Sequence, residues 1–82
     1  MRVRVLYFAG ARDLTGRGDE ERELPSDVRT IADFARHVGE AYPALGARMA
    51  SVRVARNERF ADGDELVADG DVLALIPPVA GG

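Results

Sequence analysis

Cysteine, lysine and tryptophan are all missing from this 82-residue chain. Without a thiol there is no disulfide, no thiolate metal site, no cysteine nucleophile and no persulfide carried on the chain itself. Without an ε-amine there is no P-loop lysine, no Schiff base and no isopeptide attached to a lysine of this chain. Every basic residue is an arginine, and the formal net charge is −3 with acids and bases interspersed. No basic stripe results, so no nucleic-acid partner is expected. No run is long and apolar enough to span a bilayer, and Met1-Arg2-Val3 does not open a signal peptide. A cytoplasmic protein with no membrane partner is the expectation.

What is present is a set of short periodic segments, enough for one small domain. Arg2 to Ala9 alternates as a strand: Val3, Val5 and Tyr7 point one way, Arg4, Leu6 and Phe8 the other. Gly10 to Gly18 reads as a hairpin loop with at most one helical turn around Ala11-Leu14. Its glycines suggest phosphate binding, but no Gly-Lys-Ser/Thr follows. Asp19 to Leu24 reads as a mostly solvated second strand, antiparallel to the first. Thr30 is an expected N-cap, with Asp33 in the capping-box position. Ile31, Phe34, Ala35, Val38 and Tyr42 then form one apolar stripe of a helix that Pro43 ends. His37, the only histidine, falls beside that stripe and reads as surface decoration rather than a catalytic or metal-binding group.

Ala44 to Ala50 is expected to be irregular or a short helical turn burying Leu45 and Met49. Val52 to Arg56 is a third strand, ended by a turn at Asn57-Glu58. Phe60 and Leu66-Val67 sit in short edge segments. Asp62-Gly63-Asp64 and Asp69-Gly70-Asp71 lack the spacing of a calcium loop and read as tight turns, so no metal site is expected. Val72 to Ile76 is the last strand, with Leu73 and Leu75 on one face and Val72, Ala74 and Ile76 on the other. The order β-β-α-β-β gives an α+β fold, a mixed sheet of four to five strands with one main helix packed across one face. A β-grasp arrangement suits it, with first and last strands parallel at the centre. The expected core is Val3, Val5, Tyr7, Leu24, Ile31, Phe34, Val38, Val52, Val54, Leu73 and Leu75.

Two features are left over. Residues 1–76 make the domain, and 77–82, Pro77-Pro78-Val79-Ala80-Gly81-Gly82, make an extended tail. The prolines stop sheet pairing, and the glycines let a bare terminus pass where nothing bulkier fits. A terminal Gly-Gly arises by chance roughly once in 200 chains, so it decides nothing alone. The second feature is the sheet face that the helix leaves uncovered. Leu6, Phe8, Ala74 and Ile76 fall there together, with Phe60 from the edge, at the root of the tail. A contiguous apolar patch on a small domain points to an interface.

Three segments carry a resemblance. Val5-Leu-Tyr-Phe-Ala-Gly-Ala-Arg-Asp-Leu-Thr-Gly16, the central helix and Asp69-Gly-Asp-Val-Leu-Ala-Leu-Ile-Pro-Pro-Val-Ala-Gly-Gly82 resemble the small sulfur-carrier subunit of molybdopterin synthase, in the ubiquitin-like MoaD/ThiS group. The resemblance implies a ubiquitin-like β-grasp. It also implies that an E1-like adenylating enzyme consumes ATP to convert the Gly82 carboxylate to an acyl-adenylate. Sulfur then displaces AMP to leave a thiocarboxylate, while the chain itself binds no cofactor. The tail would enter the large synthase subunit and pass its sulfur to the pyranopterin precursor, within a heterotetramer of two small and two large subunits. Phe8, Phe60 and Ile76 match the family's partner-facing apolar positions, Arg12 matches an arginine after the first strand, and Pro77, Pro78, Val79, Ala80 and Gly81 belong to the inserted tail. Ile76 stands where phenylalanine often occurs, and Ala80 where threonine or serine does. With no catalytic group of its own, the chain is expected to be a carrier whose active site lies on the large subunit. Carriers for thiamine, cysteine or tRNA thiolation, a ubiquitin-like protein modifier and a plain interaction domain remain alternatives.

Overall fold

The computed structural model describes residues 1–78; Val79, Ala80, Gly81 and Gly82 lie outside the described residues, and with them the expected reactive end of the tail. Five strands, β1 (Arg2–Tyr7), β2 (Asp19–Glu23), β3 (Arg53–Arg56), β4 (Arg59–Phe60) and β5 (Val72–Ile76), form one mixed sheet in the order β2-β1-β5-β3-β4. The first and last strands lie parallel at its centre, Val5 opposite Leu73 and Tyr7 opposite Leu75. The other pairings are antiparallel. This is the β-grasp.

Alternation dictates which face is buried. Val3, Val5, Tyr7, Leu73 and Leu75 are all fully buried, and Phe34 and Val38 of the main helix, α2 (Ile31–Ala41), close over them. The α2 N-terminus is fixed as its sequence implies. Thr30 Oγ1 accepts from the Asp33 N–H, and Asp33 accepts in return from the Thr30 N–H, both at 3.1 Å. These bonds, and one from the Arg29 N–H, hold the Asp33 carboxyl below its ordinary pKa.

The first strand stops at Tyr7 rather than Ala9, and within Gly10–Gly18, expected as a loop with at most one helical turn around Ala11-Leu14, a longer helix forms: α1, Ala9–Thr15, with Ala11 buried. Its own propensity is weak, since Gly10 lies in its first turn and Gly16 ends it. Tertiary packing supplies what propensity lacks: α1 rests on β1, β5 and the short helix α3 (Pro43–Gly46). Leu45 of α3 is buried, as expected, while Met49 only packs against the core edge. Val52 also falls short of its expected full burial and packs against the core while half-exposed, because it precedes β3. Val28 and Val67 join the core from loops. Among the described residues, no helix is long and apolar enough to cross a membrane.

The strand β2 is mostly solvated, as expected, with Asp19, Glu21 and Glu23 exposed and Glu20 and Arg22 partly covered. Asp19 and Glu21 face outward and pair with Arg4. Glu20 turns inward, where the hydroxyls of Tyr7 and Tyr42 both donate to its Oε2, at 2.5 and 2.9 Å. Burial would raise the Glu20 pKa, but the two hydroxyl donors and Arg22 outweigh it and the net shift is downward. Burial and the adjoining carboxylate push the Tyr7 hydroxyl far above its ordinary range. His37 completes this cluster by accepting from Arg22 Nε at 3.2 Å, so it is more than surface decoration.

Candidate functional site

The sheet face opposite α2 carries no helix, and it divides into two halves. At one end Arg2 and Arg4 cross-pair with Asp19, Glu21 and Glu23. At the other, where β5 leaves the sheet, the side chains are apolar. Register explains the cluster: Leu6 pairs with Ala74, Ala74 with Ala55, and Ala55 with Phe60, which places all four on one row across the sheet.

Phe8 and Ile76 stand at the upper edge of that row. Together these side chains line a shallow depression of about 230 Å³. Its floor is made of the small buried residues Ala55 and Ala74. Its walls are large and exposed: Phe8 at 42% and Phe60 at 55%. Small floor and large walls make a concave apolar surface, which water solvates poorly.

Local geometry sets these walls. Ala9 takes a left-handed φ of 46°, turning the chain sharply from β1 into α1 and leaving Phe8 as the extended N-cap residue. Phe8 still donates its N–H to Leu75 O, so it is tied to the end of the central strand. Phe60 is presented by the tight turn at Asn57 and Glu58, both at positive φ as a two-residue hairpin requires. The guanidinium of Arg53 lies 3.8 Å from the centre of the Phe60 ring.

The turn is secured from the far side of the sheet. Asp71 is buried, accepts from Arg56 Nε at 2.7 Å and from Asn57 Nδ2 at 3.0 Å, and also takes the Ala68 N–H. Asn57 Oδ1 accepts in turn from the Val72 N–H. Burial would raise the Asp71 pKa, but Arg56, Ala68 and Asn57 together lower it. The second Asp-Gly-Asp is thus a tight turn, and its last aspartate also staples the start of β5 to the β3–β4 hairpin. Sequence reading saw the turn but not the staple, because the partner residues lie about fifteen positions away.

Pro77 and Pro78 continue from Ile76 without joining the sheet. On the helix side they line a second, larger depression of about 370 Å³, with Gly10, Leu14, Arg48 and Val52 among its walls. The tail root therefore rises between two hollows. Arg12 lines neither of them. Its guanidinium lies instead beside Gly18, where an added Cβ would come within 3.5 Å of Arg12 Nε. The structure thus brings Phe8, Phe60 and Ile76 together on one depression, sets Pro77 and Pro78 on the other, and places Arg12 on neither.

Fold and surface together define a ubiquitin-like β-grasp domain with one apolar face uncovered at the exit of its last strand. Within that class the chain belongs to the ThiS family, whose model matches residues 5–82. It is 34% identical over 84 residues to the molybdopterin synthase sulfur carrier subunit of Chlamydomonas reinhardtii, covering the whole of both chains. It is 35% identical over 85 residues to the subunit of that name from Mycobacterium tuberculosis, covering 100% of this chain and 99% of the relative. Among solved structures it is similar to small archaeal modifier protein 1 of Haloferax volcanii, with 29% identity and a TM-score of 0.81 over 95% of this chain and 98% of that one.

Proposed function

We infer that this chain is the sulfur carrier subunit of a molybdopterin synthase, acting through the carboxylate of Gly82. The observation that carries this reading is the apolar depression at the tail root, seen on a chain that matches carriers of that name over its full length. A carboxylate is a poor electrophile, so acyl chemistry at Gly82 needs a better leaving group. An E1-like partner would supply it: the carboxylate attacks the α-phosphorus of ATP, pyrophosphate leaves, and an acyl-adenylate forms. A sulfur nucleophile at the hydrosulfide level then attacks the carbonyl carbon, AMP departs, and a thiocarboxylate remains. Beyond the terminal carboxylate itself, neither step requires a side-chain nucleophile from this chain, which has no cysteine or lysine to offer.

The large synthase subunit would cover Phe8, Phe60 and Ile76 while receiving Pro77 to Gly82, so that the sulfur reaches a pterin precursor bound by that partner. Deleting Gly82 tests the assignment. Sulfur transfer to the precursor should vanish while the domain still folds and binds; retained transfer refutes it. A second reading is favoured by the likeness to an archaeal modifier protein. In that reading Gly82 is joined to lysines of other proteins, and Gly-Gly remnants on those lysines in the native host would identify it.

A further inference from the structure

The residue stacked on the Phe60 wall also carries a charge that no other described residue pairs with. Arg53 pairs in register with Ile76, the last residue before the tail, and its guanidinium stacks on the Phe60 ring. The two other arginines of this face, Arg2 and Arg4, each hold carboxylates of β2. Among the described residues Arg53 makes no ion pair. Glu58, the acid that lines the same depression, is not within ion-pair distance of it.

Stacking engages the flat face of a guanidinium and leaves its in-plane N–H donors free. No described residue accepts from those donors, and Arg53 is exposed, so they are open to water. A partner that covers Phe60 and Ile76 takes that water away, and a desolvated cation without an acceptor is strongly unfavourable. A tight complex on this face therefore requires an acceptor from the partner at that point.

We propose that Arg53 is a specificity-determining residue of the docking face, and that the partner covering the apolar depression places a carboxylate against the Arg53 guanidinium. This rests on the reading that the large synthase subunit occupies the face. It adds the partner's chemistry: an apolar plug with an acidic side chain beside it, at the point where the tail departs. Arg53 also acts as a shelf for Phe60, so the test has to separate charge from shape.

Arg53→Met keeps an unbranched apolar stem against the ring and removes the charge. Arg53→Lys keeps the charge and removes the flat stack. Affinity for the purified large subunit of the same host, measured by calorimetry at low and high sodium chloride, distinguishes them, with thermal melts confirming that each variant folds. The expected result is a loss of about tenfold or more for Arg53→Met at low salt, a weaker salt dependence than wild type, and partial recovery in Arg53→Lys. If Arg53→Met binds like wild type with the same salt dependence, while Arg53→Lys is the weaker variant, Arg53 is a shelf alone and the proposal is overturned. If wild type does not bind the large subunit, the functional reading fails and this proposal fails with it. If wild type binds and both variants match it, only the proposal fails.

Discussion

Ile76 is the in-register partner of Arg53 and the last strand residue before Pro77, so the apolar depression and the tail share a single backbone anchor. A protein that grips one is positioned on the other. Phe8 is exposed at 42% and Ile76 is half-buried at the rim, so neither is needed to fill the core. Phe8→Asp and Ile76→Asp should each weaken binding to the large subunit by about thirtyfold or more, as loss of an interface anchor does. Melting temperatures should stay close to wild type. Unchanged affinity in a calorimetric titration would remove the face from the interface.

Helix packing makes a second prediction, at a site remote from the tail. A Cβ built on Gly46 would stand 2.4 Å from the backbone oxygen of Gly39, where α3 crosses α2. Both elements are backbone there, and neither can swing aside as a side chain would. Gly46→Ala should therefore destabilise the fold by about 2 kcal/mol. Gly39→Ala should cost less, because its added Cβ meets Gly46 at 3.1 Å. Urea denaturation of the two variants gives the order.

The Asp71 staple predicts a third effect. Asp71→Asn keeps the shape but removes the charge from a buried site that takes three donors. A loss of about 2–3 kcal/mol is expected, with the β3–β4 hairpin the first part to gain amide exchange. An unchanged urea midpoint would show that Arg56 and Asn57 hold the turn without it.

Acid and alkali should each weaken the fold, for opposite reasons. Glu20 and Asp71 are held below their ordinary values of 4.5 and 3.8. Below those values the unfolded chain takes up protons that the folded chain still refuses, so stability falls as pH falls through this range. Tyr7 behaves inversely. Its hydroxyl stays protonated in the fold above the ordinary value of 10.0. The unfolded chain releases that proton first, so stability falls as pH rises past about 10. Melting temperature against pH should show a plateau with both limbs, and Glu20→Gln should flatten the acid limb. A flat profile from about pH 3 to about pH 11 would contradict the Glu20–Tyr7 arrangement.

Much of this molecule is legible in its sequence because two periodicities carry the core. Val3, Val5 and Tyr7 alternate, Ile31, Phe34 and Val38 follow a helical stripe, and those residues are buried where expected. The apolar tail root was readable for the same reason: alternation put Leu6, Phe8, Ala74 and Ile76 on the face that one helix could not cover. What periodicity does not carry is long-range contact. Helix α1 exists because β1, β5 and α3 support it, not because Ala9–Thr15 favours a helix. Glu20 reads as one more surface acid until Tyr7 and Tyr42 converge on it from different elements. The stack of Arg53 on Phe60 likewise needs β3 and β4 side by side. Arg12 is known as a candidate only through family resemblance, and the depressions do not include it.

The most direct measurement is the intact mass of the chain isolated from its native host, grown with molybdenum-dependent metabolism switched on. A population with one oxygen replaced by sulfur, localised to Gly82 by fragmentation and absent when the activating enzyme is deleted, is the expected result. Only unmodified carboxylate in both strains, or Gly82 found joined to lysines of other proteins without any thiocarboxylate, would contradict the sulfur-carrier assignment.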